Sequence, residues 1–454
     1  MNWSVPRLQV LWLLPWLLTP AFGWSQPSQP GPPPGVSIPA PGAHLSLDEA
    51  LAIAARDHPT LQTAAEQTQA DVAAQGIEAS ALRPHVGLEG VWKDGPNSAP
   101  GLGFQGLANS SIISNFGGQA GDLVFSQVLA DFGRAESRVA SRRYTTEADV
   151  QSYLAQRQWV AWGVAQAYDA ALGAQKLEEV AKEDVDSRAL VVRQAQARFD
   201  AGLVSRVDVD FARANLAAAQ VRLTNAIANV QEAFASLNTA MGVVRPGSYQ
   251  LDDVSTTPAL PATPVEQDVL TALRQRPELS SYDEQMRALG EQAKAYAADA
   301  RPLLRTEITA GAVDAQKSAI NQPHNYAGAL IFTWPFMNGG LTRSEIQQVQ
   351  HLMAALAGRR ETLAQQIRLQ VTQDRANLAA LIQSRPASIE QLHRAQDVVK
   401  LATERYRTGL GSLIEVQEAQ AALLEAETNV TQLNYQIATA QAALQYALGA
   451  YGGR

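Results

Sequence analysis

The sequence predicts a mostly α-helical protein with a small β part, made of two copies of one unit, with long coiled-coil helices and four β-strands per chain. Three observations carry this reading. The stretch RFDAGLVSRVDVDFARANL (198–216) returns as RYRTGLGSLIEVQEAQAAL (405–423), identical at eight of nineteen positions. Two short segments of period-two alternation occur in each half, and seven-residue apolar spacing follows each repeated turn. Four landmarks also hold a common register. HPTL (58–61) matches RPEL (276–279), and Arg83-Pro84 matches Arg301-Pro302, both at an offset of 218. Asp131 and Gly133 then match Asn338 and Gly340 at 207, an offset kept to the terminal pairs Met241-Gly242 and Leu448-Gly449. One jump of eleven means one insertion in the first copy, between Pro84 and Asp131.

In chain order, residues 1–23 read as a signal peptide: Arg7, an apolar run from Leu8 to Leu18, then small residues up to Gly23. The run is too short for a membrane span. Residues 24–44 are dense in proline and glycine and read as an extended linker. The first repeat, 45–242, opens with one helix over about 46–82, capped by Ser46 and Glu49 and stopped by Pro84. The second repeat, 264–450, opens likewise over about 264–300 and stops at Pro302. Strands are predicted at 86–92 and 304–312, where Val86, Leu88 and Trp92, or Leu304, Ile308 and Ala310, share a face. Their partners are 122–130 and 326–334, with Leu123, Phe125 and Leu129, or Tyr326, Leu330, Phe332 and Trp334, on one face. The insertion falls in the Gly-, Asn- and Ser-rich stretch between strands, where a loop tolerates it.

Long helices then cover about 134–199 and 341–406, with a kink or break expected at Pro386. After each glycine turn another helix runs to 241 or 448. Leu216, Leu223, Ile227, Val230, Phe234, Leu237 and Met241 form its seam in copy one, and Val430, Leu433, Ile437, Ala440 and Leu444 in copy two. Residues 243–263 read as a polar, proline-rich linker between the repeats.

Composition narrows the function. The chain has no cysteine, which excludes disulfides and an acylated N-terminal cysteine. Its six histidines have no metal-ligand spacing, and a net charge of −8 argues against nucleic acid. No catalytic, phosphate-binding or cofactor-binding pattern is present, so neither an enzyme nor a cofactor is expected. Asn429-Val-Thr431 fits a glycosylation sequon but lies inside a coiled-coil helix. Beyond the signal no run of eighteen apolar residues occurs. Four amphipathic strands cannot close a barrel alone, so several chains must contribute; three would give twelve strands with an open lumen. Trp92 and Trp334-Pro335-Phe336 would suit an aromatic girdle.

The opening LSLDEALAIAARDHPTL, the strand-to-helix turn FMNGGLTR (336–343) and the twice-used Arg-aromatic-x-x-Gly-Leu-x-Ser turn resemble the TolC-like outer membrane factor family, across residues 45 to 450. The resemblance implies a homotrimer with a twelve-stranded β-barrel in the outer membrane of a Gram-negative bacterium and a long α-helical tunnel through the periplasm. It implies as partners outer-membrane lipid, a periplasmic adaptor (membrane fusion) protein and an inner-membrane pump of RND, ABC or MFS type. The protein would be the passive exit duct of a tripartite efflux or type I secretion system. The rival reading is a periplasmic coiled-coil adaptor or scaffold with no barrel, which has no need of paired amphipathic strands.

From the residues themselves, Gly202 and Gly409 are expected at positive φ, ending one helix and reversing the chain. Ser205 and Ser412 read as caps of the next helix, with Asp208 and Glu415 in its first turn. A sharper alternative makes Asp208, Glu415 and Glu418 an acidic ring where three chains meet. The resemblance places both turns at the periplasmic tip, so that Arg198, Gly202, Leu203, Ser205, Arg405, Gly409, Leu410 and Ser412 meet the adaptor. It also aligns Glu415 and Glu418 with the family's constricting acidic pair. Gly411 departs from that pattern, which has a basic residue there holding the tip closed; Arg206 is the nearest candidate replacement. The two tips are therefore expected to be inequivalent.

Overall fold

A computed structural model describes residues 42–93, 118–243, 247–253, 260–315 and 324–453. The predicted signal peptide, nearly all of the 24–44 linker, the Gly/Asn/Ser-rich stretch between the first two strands and the Trp92 side chain lie outside the described residues. The elements are β1 (His44–Leu45), α1 (Leu47–Asp57), α2 (Pro59–Ser80), β2 (His85–Lys93), β3 (Gly118–Ala130), α3 (Arg134–Asp200), α4 (Arg206–Ala240), β4 (Gln250–Leu251), α5 (Val265–Gln275), α6 (Pro277–Asp299), β5 (Leu303–Ala315), β6 (His324–Thr333), α7 (Leu341–Thr408) and α8 (Leu413–Ala447).

Each opening helix is two helices. Pro59 and Pro277 sit at the first position of α2 and α6, which forces His58 and Arg276 into extended backbone. The His58 ring then caps α2 by accepting from the Thr60 N–H at 3.2 Å. The Ser46/Glu49 capping box at α1 is present as expected. The junctions also explain why each repeat ends in glycine. Gly242 (φ +74°) abuts the α1–α2 junction, where a Cβ would come 2.7 Å from His58 Cα. Gly449 (φ +79°) abuts the α5–α6 junction, 3.1 Å from Gln275. Two of the sequence landmarks are thus the two sides of one contact.

Pro386 does not break α7, which is continuous from Leu341 to Thr408. The proline is on the exposed face, so the carbonyl it leaves unpaired can be hydrated. In the turns before it, Leu378, Leu381 and Ile382 pack on α8, and Arg385 donates to Asn434 at 3.0 Å. The linker is not wholly loose either. β4 pairs in parallel with β1, Tyr249 is buried and donates to Asn238 Oδ1 at 3.0 Å, and Tyr168 sets its hydroxyl between the carbonyls of Leu45 and Asp252, at 2.9 and 2.8 Å.

The four longer strands form one antiparallel sheet in the order β2-β3-β5-β6. Residues opposite one another share a face. One face carries the row Leu88, Leu123, Ala310, Tyr326 and the row Val86, Phe125, Ile308, Gly328. The other carries Glu89, Asp122, Gly311 and then His85, Ser126, Glu307. The apolar face is uncovered: Leu88 is 83 % exposed and Tyr326 90 %. Among the described residues no helix is long and apolar enough to cross a membrane.

The helices repeat this arrangement. In each copy the pair α1–α2 or α5–α6 packs on the long helix, α3 or α7, which pairs with α4 or α8. Between copies, α3 packs on α6 and α8, tied by Arg134 to Asp299 at 2.8 Å and Ser141 to the Ala288 carbonyl at 2.8 Å. Among the described residues α7 has no comparable packing on α2 or α4. The coiled-coil seam reflects that difference. Leu433, Ile437, Ala440 and Leu444 are buried, whereas in copy one Ile227 is 40 % exposed, because α4 is an edge helix of the chain.

Gly242→Ala places a side chain against backbone in a left-handed conformation, and is expected to lower stability by about 2 kcal/mol or more. Thermal unfolding in detergent checks this, with exposed Gly358→Ala as the neutral comparison.

Candidate functional site: the two helix-hairpin tips

α3 and α7 are long because their sequences are rich in good helix formers, with Pro386 accommodated inside α7, and each ends where glycine makes left-handed backbone easy. Gly202 has φ +72° and Gly409 φ +83°. At both turns the residue after glycine donates back five positions, Leu203 to the Arg198 carbonyl at 2.9 Å and Leu410 to that of Arg405 at 2.8 Å. This is the Schellman closure, and it fixes both reversals in one shape.

The restarting helices are capped differently. The Asp208 carboxylate accepts from the Ser205 N–H at 3.0 Å and lies 3.3 Å from its hydroxyl. The Asp208 carboxylate is thus held at its own helix start. Ser412 accepts from the Glu415 N–H at 3.2 Å, which leaves the Glu415 carboxylate free to lie 3.6 Å from Arg405 Nε. Gly411 makes room for that pair. A Cβ there would be 3.0 Å from Arg405 Cβ and 3.1 Å from Glu415 Oε2. The basic side chain beside Glu415 in this hairpin is Arg405. Arg206 is elsewhere, pairing with Asp210 at 3.6 Å. Glu418 is exposed, one turn along the same helix face as Glu415, with no ion-pair partner among the described residues.

The hairpins are joined by a contact that the sequence reading missed. Tyr406 is buried in a small core with Val191, Ala195, Val209, Leu413 and Val416, while the aligned Phe199 is partly exposed. The Arg198 guanidinium lies 4.5 Å from the centre of the Tyr406 ring and also donates to the Tyr406 carbonyl. Asn215 donates to Gln417, and Gln420 to Ser187 at 2.7 Å, continuing the link between α4, α8 and α3. Arg198 and Arg405 therefore do different work, one bridging hairpins and one closing its own. The only sequence signal was the change from Phe199 to Tyr406, and the burial behind it was not legible. The Tyr406 hydroxyl has no hydrogen-bond partner among the described residues, and burial pushes the phenol above its usual range. Around the turns Leu203, Val207, Leu410 and Ile414 are exposed, a crown of apolar side chains at the end of long helices.

This arrangement holds no constellation for covalent chemistry. It consists of two reversals, a cation bridge and an apolar crown beside two carboxylates. The chain matches the model of a family described as outer membrane efflux protein, over residues 50–243 and again over 270–450. The chain belongs to that family. An outer membrane efflux protein is a passive channel component of the outer membrane and not an enzyme, and the doubled match coincides with the doubled architecture. Solved structures share the fold. The outer membrane protein VceC of Vibrio cholerae is 17 % identical, with a TM-score of 0.73 over 89 % of this chain and 96 % of its own. The CmeC outer membrane channel of Campylobacter jejuni is 17 % identical, at 0.71 over 90 % and 86 %. The open-state MtrE outer membrane channel of Neisseria gonorrhoeae is 18 % identical, at 0.71 over 89 % and 88 %. No curated protein sequence matches the chain.

A double-mutant cycle on Arg198→Met and Tyr406→Leu is expected to give a coupling of about 1 kcal/mol. Tyr406→Phe keeps the ring and removes an unpaired buried hydroxyl, so it is expected to leave stability unchanged or raise it. Chemical denaturation of the detergent-solubilised protein measures both.

Proposed function

We propose that three copies of this outer membrane efflux protein close a twelve-stranded barrel and a helical duct beneath it, forming the exit duct of a tripartite efflux or type I secretion system. The observation that carries this is the open ring left by a single chain. β2 and β6 are the unpaired edges of the sheet, and α7 lacks the packing on α2 and α4 that its equivalent α3 has on α6 and α8. A copy rotated so that its β2 meets β6 also brings its α2 and α4 to α7. One operation supplies both missing partners, and the apolar rows then face lipid while Glu89 and Glu307 face the lumen. A soluble coiled-coil scaffold leaves that apolar sheet face unexplained.

In this reading the tips are the periplasmic entrance. The crown around Arg198, Gly202, Leu203, Ser205, Arg405, Gly409, Leu410 and Ser412 receives the adaptor's helices, and Glu415 and Glu418 line the constriction, with Arg405 holding Glu415 back. Energy comes from an inner-membrane pump of RND, ABC or MFS type, and opening the tip lets cargo into the lumen.

Light scattering in detergent is expected to give three times the chain mass, and the protein is expected to migrate heat-modifiably; full recovery in a soluble periplasmic extract defeats the proposal. Because the chain has no cysteine, Leu203→Cys and Leu410→Cys are clean crosslinking sites, and both are expected to trap the adaptor. In planar bilayers, Glu415→Ala with Glu418→Ala is expected to reduce cation preference severalfold. Unchanged conductance and selectivity remove these two residues from the constriction.

A further inference from the structure

Midway along the long helices an open cavity of about 900 Å³ is bounded by α3, α4, α7 and α8 together. Gln166, Asp169, Gly173 and Leu177 line it from α3, and Gln432, Tyr435 and Thr439 from α8. Both sets follow the three- and four-residue spacing of one helix face. Tyr168, adjacent to Asp169, holds β1 and the stretch after β4 against α3.

Its chemistry is selective. Asp169 is 5 % exposed, and among the described residues no donor hydrogen-bonds to it and no cation pairs with it. Burial raises its carboxyl pKa to about 7. An ionised carboxylate held this way demands a counter-charge or a proton. Four residues along α3, Gly173 lets the Tyr435 ring lie against its backbone, where a Cβ would be 3.2 Å from the ring. The flanking helices contribute Asn229 and Asn377, which are polar and uncharged. One carboxylate among neutral amides balances a single positive charge and leaves a divalent ion half uncompensated, and the aromatic face suits a diffuse monocation. Leu177, Leu381 and Ala440 supply an apolar wall beside it.

We infer that this cavity is a binding site for an organic monocation, with Asp169 as counter-ion, the Tyr435 ring as the cation-π platform and the amides of Asn229, Asn377 and Gln432 at the rim. The site is distinct from the tips, and binding to it requires neither an adaptor nor transport. Other ionisable groups around it keep their places. Glu179 pairs with Lys176 at 3.0 Å, Asp253 lies on the Tyr435 side, and burial holds the Tyr435 phenol at about 12 and the Tyr168 phenol higher still. From α4 and α7 the polar lining is Asn229 and Asn377, which do not titrate, beside apolar Ala226 and Leu381. With its carboxyl raised to about 7 by burial, Asp169 changes charge near neutrality. It is ionised above its pKa and neutral below it, so cation binding weakens as pH falls from 8 to 6.

The test is calorimetric titration of the full-length protein in non-ionic detergent with benzyltrimethylammonium, against benzyl alcohol and benzenesulfonate as neutral and anionic probes. Saturable binding of the cation alone is expected at pH 8, weakened at least tenfold by Asp169→Asn and by Tyr435→Leu, retained by Tyr435→Phe, and several-fold weaker at pH 6. Equal affinity in an assembled Asp169→Asn protein, or equal binding of benzyl alcohol, overturns the site. Should Asp169→Asn fail to assemble, the two Tyr435 variants decide, since equal binding by Leu and Phe also overturns it.

Discussion

Backbone amides and carbonyls at a sheet edge must find partners before the sheet can lie in lipid, because nothing in hydrocarbon will bond them. In this chain that requirement falls on β2 and β6, and the rest of the architecture is consistent with meeting it through copies of itself. The sheet has one apolar and one polar face, it joins the two repeats at the β3–β5 seam, and both edges are left open in the same sense. The helices obey the same rule without hydrogen bonds. In the proposed trimer, the contact that joins copy one to copy two would recur between copy two and the next chain's copy one.

Packing near each junction shows how little sequence is needed to keep the repeats in step. X-Pro dipeptides at His58-Pro59 and Arg276-Pro277 break the opening helices at equivalent points, and a left-handed glycine at the end of each hairpin lies against the break. The strand-to-helix turns are likewise paired, with Gly133 at φ +88° and Gly340 at φ +87°. In copy one the preceding position is Phe132 at φ +55°, where copy two has Gly339 at φ +62°. There Asp131 compensates by accepting from the N–H groups of Gly133 and Ala135, at 3.1 and 2.7 Å.

Much of this was legible in the sequence because periodicity and register are properties of a single chain. The four strands, the long hairpins, the duplicated turns and both positive-φ glycines follow from spacing and turn chemistry. What was not legible depends on the third dimension. A proline such as Pro386 is accommodated at an exposed position after a well-packed turn, and the residue string does not show which positions are exposed. The X-Pro breaks were hidden because periodicity continues across them. β4 was hidden because two residues of sheet have no pattern. At the tips, the glycines and serines announced themselves, but the Arg198–Tyr406 bridge and the room that Gly411 makes for Arg405 and Glu415 arise between segments far apart in sequence. Nothing in the sequence around Asp169 distinguishes it; its burial and its lack of a cation partner among the described residues belong to the fold.

The Arg198–Tyr406 bridge has a consequence for symmetry. Arg198 of the first hairpin holds Tyr406 of the second. The reverse contact has no materials, because Arg405 is committed to Glu415 and the aligned ring, Phe199, is left partly exposed. In the proposed trimer, the hairpin seams within a chain carry this cation bridge, and the seams between chains would be built from other side chains. The tip would then be threefold where the fold above it approaches sixfold, and a proposed adaptor would meet two kinds of groove in alternation.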